Sequence, residues 1–425
     1  MTMAINPTRR QVLQGAAAIA GSAVFAPAVH ADPAPIRLGT LASLEGPLAV
    51  NGQDAYRVIE LLLEEAGYKA GGRKIEWIRE SSNAKPDVAL ARTRKLIEQD
   101  RADIVIGPLS GAEGIAVRDY SRTVPNKTFI NGSSASQDNT LRNSSPNYFR
   151  FSTDGTQWTA GLGEYTRNAL NLDEVTVVAS DYAFPYSQVF GFSLEFTRAG
   201  GKLNYLWTPF GTSDYTSLIA QIPKSSGALY VVYGGSDGLA FLTQYAQAGG
   251  SLPLLGGTLL ADQTLFSARG PHRKVLEGTI SAGPIGDYYD NPVWKDFQAR
   301  YVKRWSKDVG QQTPGTLAFS YSTNLQAALL ALNAVDGDLS GNQEAFREAL
   351  RKLEFKNYID AHVKLDHNRQ AISDNFLTKV EVQDKRLQSV VFKKIPNVNQ
   401  TLGFPEDKYV ALGAPSRNNT GNVKI

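Results

Sequence analysis

From Ile36 onward, short apolar runs alternate with segments whose apolar positions recur at helical spacing. Ile36–Leu41 is a mostly apolar run closed by the turn-rich Ser43-Leu44-Glu45-Gly46-Pro47. Tyr56, Ile59, Leu62 and Leu63 then share one face of a helix that Gly67 ends. Ile75–Ile78 predicts the next strand and Val88–Ile97 the next helix. Asp103-Ile104-Val105-Ile106-Gly107 predicts a buried strand, with a loop and a helix from about Ala112 behind it. The same beat returns at Val175–Ser180, Ala228–Tyr233, Leu252–Leu255 and Gly278–Ala282, each followed by a helix-like segment. Such alternation predicts an α/β fold whose parallel sheets are covered on both faces. After Asn291 the pattern turns helical over Val293–Trp305, Leu317–Val335 and Gln343–Leu353. It closes in alternating strands near Phe376–Val382 and Leu387–Lys393, and the Gly/Asn/Ser-rich Pro415–Ile425 reads as a frayed end.

Residues 1–31 follow a different logic. Thr8-Arg9-Arg10-Gln11-Val12-Leu13 is a twin-arginine pattern, Ala16–Ala26 is an apolar run, and Val29 and Ala31 stand at cleavage spacing before Asp32. The apolar run is shorter than the roughly 20 residues a membrane span needs. The expectation is a removable signal peptide and a soluble protein released into the periplasm without a lipid anchor.

The rest exceeds the ~250–300 residues at which one hydrophobic core stops growing, so two domains are expected. Loss of Arg9 and Arg10 from the 44 basic residues would leave 42 against 41 acidic ones. That near-neutral balance offers no electrostatic footprint for nucleic acid or an anionic membrane. The chain has no cysteine, which excludes disulfides, thiolate metal sites and a Cys nucleophile.

Four segments carry a resemblance: Leu41-Ala42-Ser43-Leu44-Glu45-Gly46-Pro47, Val105-Ile106-Gly107-Pro108-Leu109-Ser110, Phe149-Arg150-Phe151-Ser152-Thr153-Asp154-Gly155, and Tyr233-Gly234-Gly235-Ser236-Asp237-Gly238. In this order the chain resembles the branched-chain amino acid (Leu/Ile/Val-binding) family of periplasmic solute-binding proteins, which serve ABC importers. The resemblance implies a type I periplasmic binding fold, two doubly wound parallel-sheet domains joined by a three-crossing hinge. It places one lobe at 32–153 plus 283–360 and the other at 154–282 plus 361–425. It further implies a monomer without cofactor or catalysis, which traps a small-molecule ligand between its lobes and delivers it to a membrane complex of permease and ATPase.

Ligands of open parallel sheets bind beyond the carboxyl ends of strands, where helix N-termini aim free N–H groups at them. Ser110 and Gly111 follow such a strand, and Ser110 with Glu113 has the spacing of a capping box. Ser133, Ser134 and Ala135 follow another. By the resemblance, Gly111, Ser133 and Ala135 occupy positions that hold a ligand carboxylate, although Ala135 stands where the family often has threonine. Tyr182 and Phe184, after Val175–Ser180, and Tyr233, ending the next strand, would form an aromatic wall against the ligand's body. Amino-acid binders of the family carry a carboxylate at the position of Thr258. Burying an unpaired ammonium would cost on the order of 3–5 kcal/mol, so the expected ligand is a hydrophobic or aromatic carboxylate. A branched-chain or other amino acid, or an amide, is the alternative, with Glu45 or Asp181 supplying the missing charge.

Two other classes fit less well. Gly234-Gly235-Ser236-Asp237-Gly238 matches the G-x-S-x-G elbow of a serine hydrolase, which would pair Ser236 with His272, His362 or His367. The glycine-rich oxyanion motif is missing upstream, and a tight turn capping a helix explains the pattern equally. The three downstream histidines have no metal-ligand spacing, so no metal site is expected.

Overall fold

The computed structural model describes residues 34–305 and 310–422. The signal-peptide reading of residues 1–31 falls outside the described residues.

The first sheet takes its centre from β1 (Ile36–Ser43), whose alternate side chains are buried on both faces. After it come α1 (Ala49–Glu65), the short β2 (Lys69–Ala70), β3 (Arg73–Ser82) and α2 (Pro86–Arg94). The buried β4 (Ile104–Ile106) leads to α3 (Gly111–Ser121), then β5 (Thr128–Ile130) and β6 (Tyr148–Phe149). The strand order is β2-β3-β1-β4-β5-β6. All neighbours are parallel except β2 with β3. The chain builds leftward from β1 to β3 and then jumps to β4 on the other side. That reversal leaves a crevice between the loops that follow β1 and β4.

The second sheet repeats the plan. Its strands β7 (Glu174–Ser180), β8 (Lys202–Thr208), β9 (Ala228–Val232), β10 (Leu254–Gly256) and β11 (Ile280–Gly283) lie in the order β11-β10-β9-β7-β8, all parallel. Here the reversal falls between β7 and β9. Helix α4 (Leu162–Asn168) precedes β7; α5 (Ala183–Arg198) follows it. Then come α6 (Thr216–Ala220), α7 (Gly235–Gln247), α8 (Gln263–Phe266) and α9 (Arg273–Leu276).

Both sheets are mixed rather than purely parallel. The helices α10 (Pro292–Trp305), α11 (Thr316–Ala334) and α12 (Glu344–Lys352) return to the first sheet, where α11 packs along α1. Strands β12 (Phe355–Lys356), β13 (His362–Leu365), β14 (Ala371–Gln383) and β15 (Arg386–Val398) then extend the second sheet, β14 pairing antiparallel with β11, β13 and β15, and β12 with β13. The short α13 (Glu406–Ala411) ends the regular structure.

Arg150, fully buried, ties the end of β6 to the residue before β14. It donates to the carbonyls of Ser134 (3.1 Å) and Ser136 (2.6 Å) and to Thr140 Oγ1 (2.7 Å), and it meets Gln370 and Asp154. A buried guanidinium is tolerable only when its donors are satisfied in this way.

The frayed end expected at Pro415–Ile425 is corrected as far as Asn422. Arg417 pairs with Asp181 at 2.9 Å, Asn419 Nδ2 donates to the Leu412 carbonyl at 2.8 Å, and Gly421 packs against the Phe190 backbone. Composition alone does not register such long-range anchoring.

Candidate functional site

The two crevices face each other. Residues from both sheets converge on a small cavity lined by Leu48, Leu109, Ser110, Gly111, Ser133, Ala135 and Leu317 on one side. Tyr182, Phe184 and Leu259 line it from the other. The space left for a guest there is about 10 Å³, far below the roughly 300–1,000 Å³ of common ligand pockets. The side chains of the two walls therefore nearly meet. A larger groove of about 1030 Å³, open solvent included, runs past Gly161, Tyr165, Glu195 and Leu402, but holds none of the expected site residues.

The polar end of the cavity is the start of α3. Ser110 Oγ accepts from the Glu113 N–H at 3.4 Å, and Glu113 Oε2 accepts from the Ser110 N–H at 2.8 Å, which completes the capping box. Ser110 Oγ donates to the Ala84 carbonyl, and Ser133 Oγ to the Leu109 carbonyl, both at 3.1 Å. Both hydroxyls are thus committed to shaping the loops. The N–H groups at Gly111 and Ala112 are those a helix start leaves without an intrahelical acceptor, and the helix dipole makes them attractive to an anion. Glu113 is buried beneath the cap, where burial pushes its carboxyl above the usual range and its Oε1 has no partner.

The opposite wall is apolar. Phe184 lies edge-on to Trp158, with ring centroids 5.7 Å apart, and the Tyr182 ring lies 4.3 Å from that of Phe210. Burial raises the Tyr182 phenol, with Asp237 and Glu113 adding to the effect. Asp237 is held on its own lobe by the Gly211 N–H at 2.8 Å. The lobes touch tightly here: a Cβ on Gly111 would stand 2.9 Å from Phe184 Cβ.

Six of the nine residues expected from sequence meet at the cavity: Ser110, Gly111, Ser133, Ala135, Tyr182 and Phe184. Ser134 is turned toward α3 and Asn139, where its Oγ accepts from Asn139 Nδ2 at 2.6 Å. Tyr233 lies inside the second-lobe core against Tyr215 and Phe241, its hydroxyl 3.1 Å from Thr208 Oγ1. Thr258 is bound back to Gln188 and to the Ala282 carbonyl. Leu259 reaches the cavity from that strand end instead. Leu48, Leu109, Leu259 and Leu317 escaped the sequence reading, since a leucine in an apolar stretch carries no mark that separates lining from core. Asp181 is engaged by Arg417 and Tyr186, and Glu45 is exposed.

The elbow geometry of a hydrolase is not met. Positive φ (+56°) falls on Gly235, while Ser236 lies within α7 and bonds Asp237 Oδ1 at 3.4 Å. His272 Nε2 faces the Leu265 carbonyl, His362 pairs with Glu354, and His367 with Glu406. Among the described residues no cluster of His, Asp and Glu is arranged to hold a metal ion, and no helix is long and apolar enough to cross a membrane.

Known proteins agree with this architecture. A periplasmic binding protein family model matches residues 35–386. Leu/Ile/Val-binding protein homolog 7 of Brucella melitensis is 25% identical over 375 residues, spanning 83% of this chain and 90% of that protein. The structure of an ABC transporter substrate-binding protein from Sphaerobacter thermophilus is 28% identical with a TM-score of 0.77, over 86% of this chain and 99% of the other. A solute-binding protein of an ABC transporter from R. palustris, solved in complex with benzoate, is 23% identical with a TM-score of 0.78, over 86% and 98%. With its paired sheets and the cavity between them, the chain belongs to the periplasmic binding protein family.

Proposed function

We propose that this chain, a substrate-binding protein of an ABC transporter, captures a small aromatic carboxylate between its lobes and presents it to the membrane permease. The observation that carries the ligand class is the cavity lining. Seven apolar or aromatic side chains (Leu48, Leu109, Ala135, Tyr182, Phe184, Leu259 and Leu317) line the cavity beside the start of α3, and none of the residues lining it is acidic. A carboxylate seats on the helix start, where each charge-assisted bond contributes roughly 1.5–3 kcal/mol. A ring then fills the apolar remainder. An α-ammonium would find no counter-charge at Thr258, whose neutral hydroxyl spends its hydrogen on the Ala282 carbonyl. The benzoate complex of the R. palustris protein supports the same class.

Transport needs no chemistry on the ligand. Ligand contacts from both lobes stabilise the closed state, which the permease and its ATPase recognise. Export by the twin-arginine route through residues 1–31 and a monomeric, unanchored life in the periplasm complete the proposal.

A thermal-shift panel tests it. Benzoate and hydroxybenzoates raise the unfolding midpoint with a concentration dependence following RT ln(1 + [L]/Kd), whereas leucine, isoleucine and valine leave it unchanged. A shift with leucine and none with the aromatic acids reverses the ligand assignment.

A further inference from the structure

We propose that Asp262 is a closing latch: a carboxylate on one lobe that grips the start of a helix on the other, so that capture draws on a bond the ligand never touches. The proposal rests on the capture-by-closure reading above.

Asp262 lies in the loop beyond β10 and is 2% exposed. Its two oxygens do different jobs. Oδ1 accepts from the Thr264 N–H (2.9 Å) and Oγ1 (2.7 Å), which caps α8 within its own lobe. Oδ2 accepts from the Thr316 N–H at 2.6 Å, the first residue of α11, and α11 packs on α1 of the other lobe. Next to it, Asp54 on α1 accepts from the Gly315 N–H at 2.7 Å. Consecutive amides at one helix start are therefore held by two carboxylates, one from each lobe, at the positive end of the helix dipole. The bond spans the cleft beside the cavity, for Leu317 follows Thr316 directly and Leu259 precedes Asp262 by three residues. Asn51 Nδ2 reaches Thr264 Oγ1 across the same seam at 3.3 Å.

Gly315 fits this arrangement. A Cβ there would stand 2.7 Å from Asp262 Oδ1, so any side chain would push the Asp262 carboxylate away from the Thr316 N–H.

Asp262 is a positioning residue, and its separate oxygens allow a clean variant. D262N keeps an acceptor for Thr264, since asparagine caps helices as well as aspartate does, but sets an amide NH₂ against the Thr316 N–H. G315A strains the same contact without changing charge. The absence of cysteine permits spin labels on K69C and K202C, two exposed positions on opposite lobes.

Pulsed electron resonance on the free full-length protein should give a short inter-lobe distance in the wild type. Its population relative to the long distance should fall about ten- to a hundredfold in D262N and in G315A. Benzoate should dissociate faster from both variants by a similar factor, with little change in association. No short component in the free wild type overturns the latch, and so does an unchanged distribution in D262N. If benzoate fails to bind the wild type while the distances respond as expected, the ligand assignment falls and the latch stands.

Discussion

Gln188 and Thr258, seventy residues apart, satisfy each other. Gln188 Nε2 donates to Thr258 Oγ1 at 2.6 Å, the Thr258 N–H donates to Gln188 Oε1 at 3.1 Å, and Thr258 Oγ1 donates to the Ala282 carbonyl at 2.7 Å. Thr258 Oγ1 has no hydrogen left to offer, and one of its two lone pairs is occupied. The consequence is an architectural residue at a strand end that faces the cleft.

Thr258→Ala should therefore lower stability by about 1–3 kcal/mol, the cost of stranding the buried Gln188 amide, with benzoate affinity changed less than threefold. Denaturant unfolding and calorimetry on the same variant check both halves. A large affinity loss without destabilisation would make Thr258 a ligand contact.

Gly111→Val places a branched side chain where even one carbon would stand 2.9 Å from Phe184 Cβ. The lobes then cannot close fully. The expected outcome is a variant with wild-type circular dichroism and no ligand-induced thermal shift. Retention of the full shift would show that Gly111 and Phe184 do not meet in the bound state.

Tyr233→Ala should act on stability first. Its ring is buried among Tyr215, Phe241 and Leu265, and truncating a buried aromatic costs about 3–5 kcal/mol. Urea unfolding should register that loss. Any loss of ligand response should disappear once binding is measured well below the lowered midpoint.

Asp287 provides a pH test. Burial pushes its carboxyl from 3.8 up to about 7, against the Ser389 and Gln263 hydrogen bonds that pull it down. The folded chain then holds a proton that the unfolded chain releases. This contribution is fully present below about pH 4, declines as pH rises toward 7, and is flat above. D287N stays neutral and can still accept from Ser389 N–H and Gln263 Nε2, which share one oxygen, Oδ2. Relative to D287N, the wild type should lose about 2–3 kcal/mol of stability between about pH 5 and pH 8. Parallel pH profiles would refute the assignment.

The fold was legible because buried parallel strands announce themselves. Ile36–Leu41, Val175–Ser180 and Ala228–Tyr233 each lie on an observed strand, the last overrunning it by Tyr233 alone. The capping box was equally local, Ser110 and Glu113 being three residues apart. What escaped was set by distance in the chain. Nothing near Thr258 marks Gln188 as its partner, and Tyr233 lies one residue beyond its strand, where a small rotation decides between cleft and core. Leu259 and Leu317 come together only because two crevices from different sheets face each other.

Isothermal titration of the purified protein with benzoate, set beside L-leucine under identical conditions, decides whether the chain captures an aromatic acid. The expected result is saturable binding of benzoate at one site per chain, the acid recovered unaltered, and no heat of binding with leucine. Saturable binding of leucine with silence from benzoate, or chemical conversion of the acid, would contradict it.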